Sequence, residues 1–303
     1  MPPSDSPVAH LDDHPAVHGG SLDLDGRRSY QITAYDRMPP FFMTIVGASN
    51  LWLFISSSGG VTAGRTDAER SLFPYGTDDK VTEGAGRTGG VSVMRVTLPG
   101  GAVVCWQPFA ETRPGDATVQ RSLFKDYLGT TLRFEETRPD LGLRLRVSWQ
   151  TSARYGIVRT CELTSVTDAP RAIEVLDGYL NLMPAGATVQ IQNEFSVLLD
   201  AYKRTEIDDA SGLGLFYLSS KLTDLAEASE ALSANVAWQV GLGPVAHLLS
   251  ARQVRDFAAG DGGDGGDRHP RAPRRVPRAG AAPPRRGRAA ALARRCRCRA
   301  ERR

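Results

Sequence analysis

The sequence predicts a mainly β protein, a large antiparallel β-sandwich with one or two short helices and disordered ends. Three observations support this fold class. Apolar and polar residues alternate along many short segments, turn-forming residues separate those segments, and every Phe, Tyr and Trp lies before residue 258. Alternation with a period of two is typical of half-buried strands, and many short strands at even spacing favour a sandwich.

Composition divides the 303 residues into three parts. Residues 1–20 are a polar leader that we expect to be disordered. Residues 21–257 hold the strand patterns, and we predict one β-sandwich domain there. Residues 258–303 carry 14 arginines against four acidic residues and contain no aromatic residue. Such a segment cannot bury a core, so we expect a disordered tail.

The tail has two explanations. Clustered arginines could neutralise the phosphates of a nucleic acid. The tail, however, contains no Lys, Ser, Thr, Asn, Gln or Ile, a composition typical of GC-rich codons read out of frame. We therefore hypothesise that the reading frame shifts after Phe257, and we expect no nucleic-acid partner.

Turn residues divide the first half of the domain into hairpins. Asp25-Gly26 separates the first two alternating segments and is a strong hairpin signal. Residues 41–64 contain no charged residue and are long enough to span a bilayer. The turn at 47–50 interrupts them, so we predict a buried hairpin of 41–46 with 51–56 and no membrane partner.

Further strands follow along the chain. In 141–149, Leu and Val alternate with Arg and Ser before a terminal Trp, which predicts a half-exposed strand. The other predicted strands are 91–98, 102–106, 130–137, 156–166, 171–182, 213–220 and 234–242. Residues 193–206 are the best helix candidate, because four apolar residues recur at helical spacing: Phe195, Leu198, Leu199 and Tyr202.

Histidine and cysteine usage predicts neither a cofactor nor a metal site. No histidine lies between 19 and 246, so a nucleophile and base pair would need a residue from a chain end. His10, His14 and His18 have the spacing of one helix face, but Pro15 interrupts that helix. Four sparse cysteines and a polar start without an apolar signal predict a reducing, cytoplasmic location.

Paired carboxylates are the usual chemistry for cleaving glycosidic bonds. Glu135 and Glu136 are adjacent in a predicted strand, so their side chains should point to opposite faces and not converge. Asp78 and Asp79 lie in a predicted loop, where solvated charge is the simpler interpretation.

The order of several motifs resembles a known family. The motifs are FFMTI (41–45), LWLFISSSGGVTAGR (51–65), FPYGTDDK (73–80), WQPF (106–109), FEET with DLGL (134–143), GIVRT (156–160), IEVLDG (173–178) and LLDAYKRTE (198–206). Over residues 30–257 the chain resembles the N-terminal part of cellobiose phosphorylase-like glycoside phosphorylases and hydrolases. The resemblance implies a β-super-sandwich of the galactose mutarotase-like type.

In that family, a helical linker and an (α/α)₆ barrel follow the sandwich, and the barrel carries the catalytic acid. The present sequence ends before any such barrel, so we expect a non-catalytic, carbohydrate-associated domain and carry over no catalytic residue. The resemblance points to loops 57–65 and 73–80 as the place where a β-glucoside or related oligosaccharide is weakly bound. The candidate sugar-binding residues in and beside these loops, which have the aromatic and planar hydrogen-bonding types that sugars favour, are Trp52, Arg65, Tyr75, Asp78, Asp79 and Lys80.

Two other functions remain open. One is a free-standing sugar-binding or structural sandwich. The other is an aldose-epimerase-like enzyme, which the lack of an interior histidine disfavours. A sandwich made to dock on a barrel would expose an apolar face, which predicts aggregation or a homodimer.

Overall fold

This computed structural model describes residues 16–111, 119–168, 170–208, 210–220, 233–242 and 245–260, together with the backbone of 296–299. These residues form seventeen strands in four antiparallel sheets and four short α-helices. The predicted mainly β, antiparallel fold class is therefore confirmed, with more helices than the one or two predicted. Residues 1–15 of the predicted leader, and 261–295 and 300–303 of the predicted tail, lie outside the described residues.

The largest sheet contains six strands. In spatial order they are β1 (His18–Leu24), β2 (Arg27–Thr33), β9 (Gln120–Asp126), β10 (Thr131–Arg138), β11 (Leu143–Ser152) and β12 (Gly156–Ser165). The predicted hairpin at Asp25-Gly26 joins β1 to β2, and both turn residues have positive φ, at 53° and 74°. Strand β1 begins at His18, so the last three residues of the predicted leader, 18–20, belong to a strand.

A second sheet contains four strands. Its spatial order is β17 (Cys296–Arg299), β13 (Ala172–Leu180), β7 (Gly89–Thr97) and β8 (Val103–Trp106). The β7–β8 hairpin turns at residues 99–101, as the sequence predicts. Strand β17 pairs antiparallel with the first four residues of β13.

Two smaller sheets complete the fold. One consists of β3 (Phe42–Ile45), β4 (Leu51–Ser56), β5 (Val61–Arg65) and β6 (Ser71–Phe73); the other of β14 (Lys203–Asp208), β15 (Leu213–Leu218) and β16 (Asn235–Ala237). The pairing of β3 with β4 confirms the predicted buried hairpin. Only three residues of the predicted strand 234–242 are in β16.

One apolar core joins all four sheets. Members from the four sheets include Leu53, Val96, Leu143, Ile173 and Phe216, each at most 1% exposed. In β11 the alternation holds as predicted, because Leu143, Leu145, Val147 and Trp149 are buried and the intervening residues are not.

The helices are α1 (Asp78–Glu83), α2 (Val189–Glu194), α3 (Ser196–Tyr202) and α4 (Ala251–Ala259), and two 3₁₀ turns cover Tyr35–Arg37 and Ala68–Arg70. The predicted helix over 193–206 is wrong at both ends. Phe195 has φ −126° and ψ 34°, which separates α2 from α3, and residues 203–206 belong to β14. Of the predicted apolar face, only Leu199 is buried. No helix in the described ranges has the length and apolar character needed to cross a membrane.

Candidate functional site

A cleft of about 900 Å³ opens beside the edge of the six-stranded sheet. Strands β12 and β13 form its floor, and the segment 234–242 lies along it. Apolar side chains make up much of the wall, including Leu72, Phe73, Met94, Ile157, Leu182 and Phe216. A volume of this size is in the range of small-ligand sites, roughly 300 to 1,000 Å³.

An arginine–carboxylate pair connects the two strands of the floor. Arg159 of β12 donates from Nη1 to both carboxylate oxygens of Asp177 of β13, at 2.9 Å each. Ser92 Oγ donates to Asp177 Oδ1 at 2.6 Å and accepts from Arg159 Nη2 at 2.7 Å. The Cys161 thiol donates to the same oxygen at 3.4 Å. The pair is thus held by neighbours on β7 and β12.

This pair is open to the cleft on one side. The Arg159 side chain is 5% exposed, whereas that of Asp177 is 25% exposed. Asp177 Oδ1 accepts three hydrogen bonds, while Oδ2 accepts one, from Arg159. A carboxylate oxygen can accept more than one hydrogen bond, so Oδ2 is available to a ligand donor.

Glycine and tryptophan determine where the Arg159 side chain lies. A Cβ at Gly90 would be 2.4 Å from Arg159 Nε, so the guanidinium occupies space that only a glycine leaves free. On β11, the Trp149 ring centroid lies 5.9 Å from Arg159 Cζ, within cation–π range. Arg159 Nε is buried and has no hydrogen-bond partner among the described residues.

Burial keeps the two weak acids of the floor protonated well above neutral pH. It raises the pKa of Tyr179 to about 12 and the pKa of Cys161 to about 12. Burial lowers the pKa of Arg159, but the charge and hydrogen bond of Asp177, together with the interactions with Cys161 and Tyr179, raise it above its ordinary value. The floor therefore presents a thiol, a phenol and a charged pair.

Aromatic and polar side chains border the mouth of the cleft. The rings of Tyr155 and Trp238 have centroids 6.0 Å apart and are inclined by 60°. Arg154 lies over the Tyr155 ring, with Cζ 5.2 Å from its centroid. Gln239 also lines the cleft, and its buried Nε2 lacks a hydrogen-bond partner within the described part of the chain.

Of the six site residues predicted from sequence, Arg65 lines this cleft. Trp52 and Tyr75 pack edge to face in a separate surface group, with ring centroids 5.9 Å apart. Trp52 also donates from Nε1 to the backbone oxygen of Asp67 at 3.0 Å, which gives the indole a role in the turn after β5.

Asp78, Asp79 and Lys80 form the first turn of α1, and their side chains are exposed. Asp79 accepts from the Thr77 hydroxyl and from the Lys80 backbone N–H, at 2.8 Å for the latter. These hydrogen bonds lower the pKa of Asp79. The carboxylate therefore stabilises the start of the helix.

Sequence reasoning missed the floor of the cleft. The available signal was in β12, where Arg159 lies in the same alternating row as Ile157, Cys161 and Leu163, all of which pack on the core. A lone arginine on an apolar face needs a buried partner. The sequence does not indicate that this partner is Asp177 of another sheet.

A second arginine–carboxylate cluster lies inside the core. As predicted, Glu135 and Glu136 point to opposite faces: Glu135 pairs with Arg146 on the outer face, and Glu136 is buried. Glu136 accepts from Trp106 Nε1 at 2.6 Å, from the Phe109 backbone N–H at 2.6 Å and from Arg121 Nε at 2.9 Å. Protein donors therefore satisfy both oxygens of this carboxylate.

Within the described ranges, no three His, Cys, Asp or Glu side chains come together in a way that could hold a metal ion. His10 and His14 lie outside those ranges. No family model matches the chain, and no curated protein matches it either.

Proposed function

We propose that this chain is a carbohydrate-associated β-sandwich that binds a short glycan in the cleft between β12, β13 and segment 234–242. The observation that carries the proposal is the joint presence of the Tyr155–Trp238 pair at the mouth and the Arg159–Asp177 pair on the floor. Aromatic rings give a sugar an apolar surface, and a few fixed polar groups orient its hydroxyls.

Polar groups without partners support the proposal. Arg159 Nε and Gln239 Nε2 are buried donors without a partner among the described residues, and Asp177 Oδ2 has acceptor capacity left. A buried polar group without a partner costs about 1–3 kcal/mol. Sugar hydroxyls both donate and accept, so one ligand could bond to Gln239 and to Asp177 Oδ2, both of which belong to residues that line the cleft.

The proposed role is recognition and not bond cleavage. Asp177 is the carboxyl group of the cleft lining, and Arg159 holds it in an ion pair. Glycosidases use two carboxyl groups roughly 5–9.5 Å apart, one on each side of the scissile bond. In the cellobiose phosphorylase-like enzymes that the sequence resembles, a separate barrel carries the catalytic acid. We propose that the sandwich of this chain likewise binds glycan and supplies no catalytic acid.

A second role, in subunit contact, is favoured by exposed apolar residues near the cleft and on α3. Val197 and Val240 are 80% and 78% exposed. We expect a dimer in sedimentation velocity at micromolar concentration, and Val197→Asp should shift it to monomer. A monomer at all concentrations would contradict this second role.

Calorimetric titration of the full chain with cellobiose and cellotetraose tests the first role. We expect saturable binding that Gln239→Leu weakens about tenfold, because the variant loses a buried donor without leaving a new unpaired group. Glu162→Gln is the matched control, since Glu162 lies on the outer face of β12, opposite the cleft. Equal binding by both variants, or no binding by the unmodified chain, would overturn the proposal.

A further inference from the structure

The mouth of the cleft carries two arginines whose charges no carboxylate neutralises within the described residues: Arg65 and Arg154. The floor is different, because Asp177 neutralises Arg159 there. Asp67, two residues after Arg65, pairs with Arg70 instead. The cleft therefore has a charge-paired floor and a cationic mouth.

The backbone brings the two arginines to the same turn. Arg65 ends β5, and its Nη2 lies 3.7 Å from the position that a Cβ would occupy on Gly156. Gly156 has φ +77°, a conformation that glycine adopts without strain. Arg154 precedes it by two residues in the β11–β12 turn and lies over the ring of Tyr155. Both guanidinium groups thus border the aromatic pair on which a sugar ring would stack.

We propose that Arg65 and Arg154 bind an oxyanion, so that the preferred ligand of the cleft is an anionic sugar carrying a carboxylate or a phosphate. A guanidinium presents two parallel N–H donors, which match the geometry of carboxylate and phosphate oxygens. Both arginines are exposed in the free protein and neither pairs with a carboxylate of the described residues, so an oxyanion meets them without breaking an ion pair. This inference rests on the proposed glycan-binding role of the cleft.

The test compares ligands of one shape and different charge. The full chain is titrated calorimetrically with cellobiose, with cellobiouronate, with cellobiose 6′-phosphate and with inorganic phosphate, at low salt and at about 0.5 M NaCl. We expect the anionic ligands to bind about tenfold more tightly than cellobiose at low salt, with a smaller difference at high salt because screening weakens exposed charge pairs. The stronger of the two anionic ligands identifies carboxylate or phosphate as the natural oxyanion.

Charge-removing variants assign the effect to the two arginines. Arg65→Gln and Arg154→Gln should each weaken anionic-sugar binding about fivefold and change cellobiose binding less than twofold. Arg70→Gln is the control, because Arg70 is an exposed arginine that does not line the cleft.

The outcomes separate this inference from the role it rests on. Equal affinity for neutral and anionic sugars, or no effect of either arginine variant, would overturn the oxyanion site and leave the glycan-binding role intact. Binding of inorganic phosphate alone, lost in both arginine variants and without any sugar binding, would support the oxyanion site and overturn the glycan-binding role. Binding of none of these ligands would overturn both.

Discussion

Two arginine–carboxylate clusters of similar composition lie in different environments in this molecule. In the core cluster, Arg121 pairs with Glu136, whose side chain is 2% exposed. In the cleft cluster, Arg159 pairs with Asp177, whose side chain is 25% exposed. Each cluster also involves a tryptophan: Trp106 donates a hydrogen bond to Glu136, and Trp149 lies against Arg159.

The difference lies in which groups still need a partner. Glu136 receives donors on both oxygens, and Arg121 Nη2 donates to the backbone oxygen of Ala110 at 2.6 Å. This network fixes segment 106–110 to the sheet. The Asp177 side chain is partly exposed in the cleft, and its Oδ2 accepts one hydrogen bond, from Arg159. The same pair of groups therefore stabilises the fold in one place and is available for binding in the other.

The largest effect should follow removal of the cation from the core cluster. Arg121→Ala leaves the Glu136 carboxylate buried without its charge partner, which should lower the free energy of unfolding by about 3–5 kcal/mol. Urea unfolding followed by tryptophan fluorescence measures this loss. Arg70→Ala breaks the exposed pair with Asp67 and should cost less than about 1 kcal/mol. Equal losses in the two variants would contradict a structural role for the core cluster.

The same substitution at the cleft cluster should have a smaller effect on stability. Arg159→Ala leaves Asp177 in contact with solvent in the cleft, so we expect a loss of about 1–3 kcal/mol in the same urea experiment. The affinity of Arg159→Ala for glycan should fall at least tenfold, whereas Arg121→Ala has no such effect on binding. If Arg159→Ala lowered the free energy of unfolding as much as Arg121→Ala, the cleft cluster would stabilise the fold as strongly as the core cluster, which would contradict the comparison.

A methyl group at Gly90 tests whether the position of the Arg159 guanidinium, separately from its charge, affects stability and glycan binding. In Gly90→Ala the new Cβ would lie 2.4 Å from Arg159 Nε, so the guanidinium must move. We expect a loss of about 1–3 kcal/mol from overpacking, with weaker glycan binding. Gly100→Ala is the control, because nothing lies within 4 Å of its Cβ position. In thermal unfolding, the melting temperature of Gly90→Ala should be measurably lower than that of Gly100→Ala. Identical melting curves for the two variants would contradict the close contact between Gly90 and Arg159.

The smallest effect concerns the cysteine of the cleft cluster and is a change in how stability depends on pH. Burial raises the pKa of Cys161 from 9.0 to about 12; the charge of Asp177 acts in the same direction, while the charge of Arg159 opposes it. The protonated thiol is thus favoured by folding: this contribution is complete below about pH 9 and is lost as the pH rises from 9 to 12. Cys161→Ala should flatten the decline of stability over that interval.

Alkylation with iodoacetamide at pH 8.5, read by peptide mass spectrometry, provides the corresponding kinetic measurement. Cys105 is exposed, so it should react roughly tenfold faster than Cys161 or more. Equal rates would mean that the floor of the cleft is open to the reagent.

The sequence predicted the strands well and the site poorly, for a physical reason. Alternation is a local signal, so β11 and the β3–β4 hairpin could be identified from a few residues each. The cleft depends on contacts between distant residues: Arg159 with Asp177 joins two sheets, and Tyr155 with Trp238 joins residues 83 positions apart. No local pattern specifies how sheets pack on one another.

The helix prediction failed for a related reason. The spacing of Phe195, Leu198, Leu199 and Tyr202 is helical, but Lys203–Asp208 pairs with β15 instead of extending α3. Strand pairing in the folded molecule overrides helical periodicity at the end of that segment.

Two tyrosines provide the most direct test of the central claim that the cleft is the glycan site. Tyr155 at the cleft mouth and Tyr75 in the separate surface group are 54% and 52% exposed. Each contacts a tryptophan, with ring centroids 6.0 and 5.9 Å apart. The measurement is the calorimetric affinity of Tyr155→Ala and Tyr75→Ala for cellotetraose. We predict that Tyr155→Ala weakens binding at least tenfold and that Tyr75→Ala changes it less than twofold; the reverse order would contradict the account.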